Sequence, residues 1–147
     1  RCNPQRVIRA LEICIQTGRP DSEVRSGAIK QRPIRLIKLG IRYPREILYD
    51  RINRRVELMV EAGLEQEART LYPLRHLNAL QTVGYREWFD YLEGKYDRQT
   101  AIELIQRNSR RYAKRQETWF RRDLAIHWIE GGEKAINQAQ TLLKQLL

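Results

Sequence analysis

The segment that most constrains the fold runs from residue 107 to residue 122 and reads RNSRRYAKRQETWFRR. It holds seven basic residues and one acidic residue, in a chain of 147 residues with net charge +10. In a helix that turns by about 100° per residue, those cations share a stripe of roughly 140°. The pattern therefore predicts a helix that packs on a core through its other side, where Ile105, Tyr112, Trp119 and Phe120 project. The cations of the stripe are Arg107, Arg110, Arg111, Lys114, Arg115, Arg121 and Arg122.

A stripe of one charge sign favours a polyanionic partner. Ion pairs at i,i+4 neutralise a helix face only where acids alternate with bases, and Glu117 is the one acid here. The net charge leaves nucleic acid, an anionic membrane surface and a phosphorylated ligand open. Guanidinium groups donate to phosphates in pairs, so this helix favours nucleic acid over the alternative of a merely solvated surface.

Several classes of protein are disfavoured by what the sequence lacks. No apolar run approaches the roughly 20 residues that cross a bilayer, and no signal peptide opens the chain, so no membrane partner is expected. Cys2 and Cys14 form neither a disulfide framework nor a metal spacing, and the apolar pattern around Cys14 predicts a buried thiol. His76 and His127 stand alone, so no metal site is expected. A reducing, cytoplasmic setting fits this cysteine usage.

The chain reads as a fragment that lacks a complete catalytic apparatus. It begins at Arg1 and contains no glycine-rich phosphate loop, serine elbow or paired-carboxylate motif. Periodicity and caps, with Asn3 and Asp97 as N-caps, predict a mostly helical fold with two short strands. Two strands so distant in sequence make no stable sheet alone, so we expect them to be edges of a larger sheet. The predicted helices cover residues 5–17, 44–61, 64–72, 85–93, 97–122 and 133–147, the strands 33–41 and 125–129, and the loops 19–32 and 74–83.

Arg51 and Arg55 are candidates for binding a diphosphate. They lie four residues apart, at the border of the face that Ile52 and Val56 bury in the predicted helix over 44–61. Side chains there can point into a cleft and grip a diphosphate, or they can cover the core with their aliphatic stems.

Two further segments are weaker candidates taken alone. In Gln81–Arg86, Gly84 would allow a ligand near the backbone, first-turn amides could meet a phosphate, and Tyr85 could stack on a base. The alternative is a plain glycine turn with a core tyrosine. Gln5, Arg6 and Arg9 occupy the first turns of the first helix, where basic residues are more often solvated than functional.

Taken together in order, these segments resemble the C-terminal part of the tRNA dimethylallyltransferase (isopentenyl-diphosphate:tRNA transferase) family. The similarity spans about residues 1–130. The matching stretches are Asn3–Glu12 with Thr17-Gly18, Leu48–Val56, Gly63-Leu64, Thr82–Glu87, Tyr91–Gly94 and Tyr112–Arg121.

The resemblance implies an α/β fold with a P-loop core and a helical insertion, of which residues 1–147 would be one C-terminal fragment with no second complete domain. It implies transfer of a dimethylallyl group from its diphosphate to N6 of the adenosine 3′ to the anticodon, with magnesium at the diphosphate and a monomeric enzyme. Arg55 corresponds to the arginine near the diphosphate, and Arg51 is a further candidate for diphosphate or tRNA. The residues that it assigns to the anticodon stem-loop are Gln5, Arg6, Arg9, Gln81, Thr82, Gly84, Tyr85, Arg86, Lys114, Arg115, Gln116, Thr118, Trp119 and Arg121.

The chain departs from the family pattern in lacking the phosphate loop, the magnesium ligands and the aspartate that accepts the amine proton. None of Asp50, Asp90, Asp97 and Asp123 lies in a matching motif, so we expect the fragment alone to be inactive. Three alternatives stay open: an adenylate isopentenyltransferase, which has little need of the basic stripe; a non-catalytic helical RNA- or DNA-binding module; and a scaffold that docks on an acidic protein.

Overall fold

A computed structural model describes residues 3–25 and 33–147. The chain divides into two units, Arg1–Leu36 and Ile37–Leu147. In the first unit, α1 spans Pro4–Thr17 and α2 spans Asp21–Val24. As predicted, Asn3 caps α1, since its side chain accepts a hydrogen bond from the Gln5 N–H at 3.1 Å, and α1 ends at Gly18 with φ 65°. Cys14 is half-buried rather than buried, because α1 buries no residue within this unit. Cys2 and residues 26–32 of the expected loop lie outside the described residues.

The second unit carries the other predicted elements with small changes at their ends. The predicted loop over 74–83 includes a 3₁₀ turn, Asn78–Leu80, and another 3₁₀ turn, Tyr72–Leu74, follows the fourth helix. The elements are β1 (Lys38–Arg42), α3 (Arg45–Glu61), α4 (Leu64–Leu71), α5 (Tyr85–Leu92), α6 (Arg98–Phe120), β2 (Ile126–Glu130) and α7 (Ala135–Leu146).

One apolar core lies where α3, α4, α5 and α6 meet. Trp88 on α5 and Ile105 on α6 are its largest fully buried side chains. α3 contributes Val56, and α4 contributes Leu64 and Ala68. The core thus fixes α3, α5 and α6 against one another, and these three helices build the site described below.

The two strands pair with each other in parallel, from Lys38 opposite Ile126 to Arg42 opposite Glu130. β1 is therefore shorter than the predicted strand over 33–41, because β2 offers five residues to pair with and Pro33 has no N–H to donate. In the described residues the sheet has these two strands. A hydrogen bond of 2.6 Å from Lys38 to Asp123 ties β1 to the turn after α6.

Close packing beside the sheet requires glycine at position 131. The Gly131 N–H donates to the Arg42 carbonyl at 2.8 Å, and a Cβ there would overlap the Tyr43 ring. We expect Gly131→Ala to destabilise the fold by about 1–3 kcal/mol, measured by chemical denaturation. Tyr43→Ala removes the ring, so the same substitution should cost much less in that background. An equal cost in both backgrounds would contradict this contact.

The predicted apolar underside of α6 is wrong beyond Ile105. Tyr112, Trp119 and Phe120 are 52%, 66% and 42% exposed. The reason is length, since a helix of 23 residues extends about 34 Å whereas α5 has 8 residues. The C-terminal half of α6 therefore projects past the core, with aromatic as well as basic side chains in solvent.

Candidate nucleic-acid interface

α3, α5, α6 and the turn before α5 enclose an open cleft of about 1150 Å³. Its floor is apolar and includes Ile52, Val56 and Met59 from α3 and Ile105 from α6. Its polar and charged lining residues are Arg55, Gln81, Thr82, Arg86, Glu87, Asp90, Arg107, Asn108, Ser109, Arg111, Arg115 and Gln116. The structure thus brings together predicted site residues from three segments that are far apart in sequence.

Five arginines line this cleft without an acidic partner. No ion pair joins any of them to a carboxylate in residues 3–25 and 33–147, although arginines elsewhere, such as Arg54 and Arg69, are paired. Their guanidinium groups are therefore available to an anionic ligand, and the cleft has more positive than negative charge. The five are Arg55, Arg86, Arg107, Arg111 and Arg115.

Three other basic residues do not join this set. Arg51 lies with its guanidinium carbon 4.8 Å from the centre of the Tyr43 ring, outside the cleft where we expected it beside Arg55. Arg110, expected on the phosphate-facing stripe, is half-buried and donates to the Asn53 side chain at 2.5 Å, which ties α6 to α3. Arg121 pairs with Glu117 at 2.6 Å, so one i,i+4 pair does form on the stripe.

The turn before α5 is held by its own hydrogen bonds. The Gln81 side chain donates to the Arg75 carbonyl at 2.6 Å, and Gly84 adopts φ 106°, which favours glycine. The Gly84 N–H donates to the Glu87 carboxylate at 2.7 Å, so this amide is not free for the phosphate that we expected at the start of α5. The side chains of the turn still face the cleft.

Tyr85 does not line the cleft. Its ring stacks on Phe89 of the core with 6.2 Å between centroids, and its hydroxyl donates to Glu67 at 2.7 Å. This hydrogen bond raises the pKa of Tyr85. The position corresponds to the alternative of a core tyrosine rather than to a ring that is free to stack on a base.

A small hollow of about 340 Å³ lies on the C-terminal half of α6. It is lined by Lys114, Arg115, Thr118, Trp119 and Arg122, so Arg115 borders both this hollow and the cleft. Exposed aromatic rings among cations are typical of surfaces that contact single-stranded nucleic acid. Four of the predicted tRNA residues of this helix, Lys114, Arg115, Thr118 and Trp119, thus share one surface, whereas Gln116 lines the cleft and Arg121 lines neither.

The predicted residues Gln5, Arg6 and Arg9 lie in the first unit, on the exposed first turns of α1. Arg9 donates to Glu12 at 2.8 Å. Their contact with RNA stays a prediction.

The residues assigned to the anticodon stem-loop left out several that line the cleft, among them Glu87, Asn108, Tyr112 and the stripe arginines Arg107 and Arg111. The spacing of Arg107, Arg111 and Arg115 by four residues was a usable signal, because side chains at i, i+4 and i+8 share a helix face. Glu87 three residues after Gly84 was another, since glutamate at the third position of a helix often caps its start. Nothing in the sequence pairs Glu87 with Asn108, 21 residues away.

The N-cap of α6 makes the stability of the helix that bears the cleft depend on pH. Hydrogen bonds from the Thr100 side chain and backbone lower the pKa of Asp97. A lowered pKa in the folded state gives stability that is present above the unfolded pKa and is lost as pH falls through the folded value. Asp97→Ala should therefore reduce the free energy of unfolding near pH 7, and the difference from the parent should vanish in acid. Denaturation at both pH values checks this, with Asp97→Asn as a neutral cap; a deficit of equal size at both would contradict it.

Comparison with known proteins identifies the family. Residues 1–123 match the family described as IPP transferase. The chain belongs to the IPP transferase family. Its relatives include tRNA dimethylallyltransferase 2 of Porphyromonas gingivalis, 56% identical over 129 residues that make up 88% of this chain and 43% of the relative. Another is the tRNA dimethylallyltransferase of Cytophaga hutchinsonii, 53% identical over 89% of this chain and 43% of the relative.

Solved structures of the family have the same fold. The full-length tRNA isopentenylpyrophosphate transferase of Bacillus halodurans superposes with a TM-score of 0.71 at 41% identity, covering 97% of this chain and 45% of that one. The corresponding transferase of Staphylococcus epidermidis gives 0.70 at 30% identity, covering 97% and 49%. The predicted family and fold class are confirmed. The chain spans less than half the length of the curated relatives that it matches. In its described part, no helix is both long and apolar enough to cross a membrane.

Proposed function

We propose that this chain is the tRNA-binding and diphosphate-contacting part of a tRNA dimethylallyltransferase. The observation that carries the proposal is the cleft lined by five arginines that no acid in the described residues neutralises. The names of its relatives, at 53% and 56% identity, support tRNA as the partner and a dimethylallyl transfer as the reaction. The substrates would be the anticodon stem-loop and dimethylallyl diphosphate, and the product would carry the new group on N6 of the adenosine 3′ to the anticodon.

Arg107, Arg111 and Arg115 form the part of the cleft suited to an RNA backbone. They lie on successive turns of α6, a row about 12 Å long. Each can donate two parallel hydrogen bonds to a phosphate. Arg86 faces the same cleft from α5, so the ligand would be held from two sides.

Arg55 is the residue we assign to the diphosphate. In the transfer, a bond forms between N6 and the first allyl carbon while the bond from that carbon to the diphosphate oxygen breaks, and the diphosphate leaves with the electron pair. A guanidinium aimed at the departing oxygens stabilises the charge that builds there. The amine proton passes to a base that we do not assign to this chain. The adenine must leave its stack to react, and the apolar floor of the cleft would keep water from the allyl group.

We propose that the reaction uses magnesium and that the ligands of this ion do not come from this chain. The cleft offers two carboxylates, and both are engaged: Glu87 with Gly84 and Asn108, and Asp90 with Lys95. In the described residues no three acidic, cysteine or histidine side chains gather as a metal site. These residues do not fit a magnesium site, so no step above passes through the ion.

We further propose that the enzyme is a monomer and that it works in the cytoplasm.

A helical RNA-binding module without catalysis is the second candidate. It is favoured by the absence, among the described cleft residues, of an unengaged carboxylate that could serve as a base. Under either candidate we expect no transfer by this chain alone. Stoichiometric transfer of a labelled dimethylallyl group to tRNA by the isolated chain would contradict that expectation.

Binding of stem-loop RNAs tests the proposed function. The chain should bind an anticodon stem-loop with an affinity that falls steeply with added salt, because released counterions drive phosphate binding. It should prefer a loop with adenosine 3′ to the anticodon over the same loop with uridine there. Equal affinity for both loops would favour the generic module, and failure to bind either at low salt would overturn the proposal.

A further inference from the structure

Glu87 is a buried carboxylate in a cleft whose lining carries five arginines and one other acid, Asp90. Its residue is 6% exposed, and it is the one acidic residue that the structure buries in the described part of the chain. One carboxylate oxygen accepts from the Gly84 N–H at 2.7 Å, and the other accepts from the Asn108 side-chain amide at 2.6 Å. The Tyr96 hydroxyl also donates to the Glu87 carbonyl at 2.9 Å. Both carboxylate oxygens are therefore engaged, and both bonds come from uncharged donors.

Burying a carboxylate without a direct ion pair costs free energy that an apolar side chain would not incur. Arg86 adjoins Glu87 in sequence and Arg107 adjoins Asn108, yet neither forms an ion pair with Glu87. The carboxylate leaves these cations free and uses its oxygens to join the turn before α5 to the middle of α6. The bond to Gly84 caps the start of α5, and the bond to Asn108 adds a link from this cap to the middle of α6.

We propose that Glu87 is a positioning residue that sets the separation between the two arginine-bearing walls of the cleft. The inference rests on the proposed RNA-binding function of the same cleft. Arg86 lies on the α5 wall, and Arg107 and Arg111 flank Asn108 on the α6 wall. The bridge holds these walls so that arginines from both sides meet one RNA backbone. Because the separation is already set before RNA binds, binding does not include the free-energy cost of ordering the two walls.

Asn108→Ala is the most informative variant, because it breaks the bridge but leaves the Gly84–Glu87 bond and the cap of α5 intact. We expect it to bind the anticodon stem-loop about tenfold more weakly while still unfolding cooperatively. We also expect a shallower dependence of affinity on salt, by about one phosphate contact, although the substitution removes no charge. A change confined to local packing would not alter that slope.

Two more variants complete the test. Glu87→Ala combined with Asn108→Ala should bind no more weakly than the poorer single variant, because both remove one bridge. Glu87→Gln combined with Asn108→Asp keeps the charge of the cleft and rebuilds the bridge, because the introduced amide can accept from Gly84 and donate to the introduced carboxylate. This pair should restore affinity to within about twofold of the parent.

Glu103→Ala is the matched control, since Glu103 is an exposed acid on α6 that does not line the cleft. It should match the parent in both affinity and salt slope. If folded Asn108→Ala binds RNA with the affinity and salt slope of the parent, the positioning role is wrong. It is also wrong if Glu87→Ala binds RNA more tightly than the parent, because the carboxylate would then act only by repelling the phosphates. If the parent itself fails to bind RNA, the proposed function fails, which is a result distinct from either of these.

Discussion

Replacing Arg55 by alanine should slow dimethylallyl transfer about ten- to a hundredfold in a full-length transferase that contains this chain, corresponding to about 1–3 kcal/mol of lost charge stabilisation. Arg55 lines the cleft from α3, beside the apolar floor, and no acid in the described residues pairs with it. Its guanidinium is thus free to meet a departing diphosphate, whose charge grows as the reaction proceeds. Binding of tRNA should change little, because the row of arginines on α6 remains.

Single-turnover kinetics with saturating tRNA separates these two effects. Arg54→Ala is the matched control, since Arg54 is the neighbouring residue, points to solvent and pairs with Glu57 at 3.2 Å. That control should react at the parent rate. If Arg55→Ala weakens tRNA binding but transfers normally once tRNA is bound, the assignment of Arg55 to the diphosphate is wrong.

Removing the cation of Arg115 should weaken tRNA binding by about 1–3 kcal/mol and leave the transfer rate of bound tRNA nearly unchanged. Arg115 is exposed, borders both the cleft and the hollow on α6, and has no acidic partner in the described part of the chain. Arg111→Ala, one turn earlier, should act similarly. Each substitution should reduce the salt dependence of binding by about one phosphate contact.

Arg98→Ala provides the comparison for these variants. Arg98 is on the same helix but outside the cleft, and its guanidinium pairs with Glu65 at 2.8 Å. Removing this cation should leave both the affinity and the salt slope near those of the parent. If Arg111→Ala, Arg115→Ala and Arg98→Ala all lose the same affinity for tRNA, the attraction is diffuse and involves no defined phosphate site.

Most of the secondary structure could be predicted from local sequence signals such as helix caps and glycines. Asn3, Gly18 and Asp97 act within a few residues of where they stand, so the bounds of α1 and the start of α6 could be predicted from the sequence. The second strand was placed to within one residue, the first begins five residues later than predicted, and the sequence did not predict that the two would pair with each other. Parallel pairing of β1 with β2 joins residues about ninety apart, and no local pattern encodes it.

The candidate site was predictable where one helix face carried the information. Arg55, Arg86 and Arg115 reach the cleft because their helices present that face to it. Helical periodicity wrongly predicted that Tyr112 and Trp119 would be buried. The prediction assumes that a core lies along the whole helix, but α6 extends beyond the helices that pack on it. The bond between Glu87 and Asn108 could not be predicted, since it depends on how α5 docks on α6.

The central claim is that the arginine-lined cleft holds the anticodon loop, and cross-linking tests it most directly. An anticodon stem-loop with a photoreactive adenosine 3′ to the anticodon would be irradiated on the protein, and the adducts would be mapped by mass spectrometry. We expect adducts on cleft residues between Gln81 and Gly84, or on α6 between Arg107 and Gln116. Adducts concentrated on α4 or α7, with the cleft unmodified, would contradict the claim.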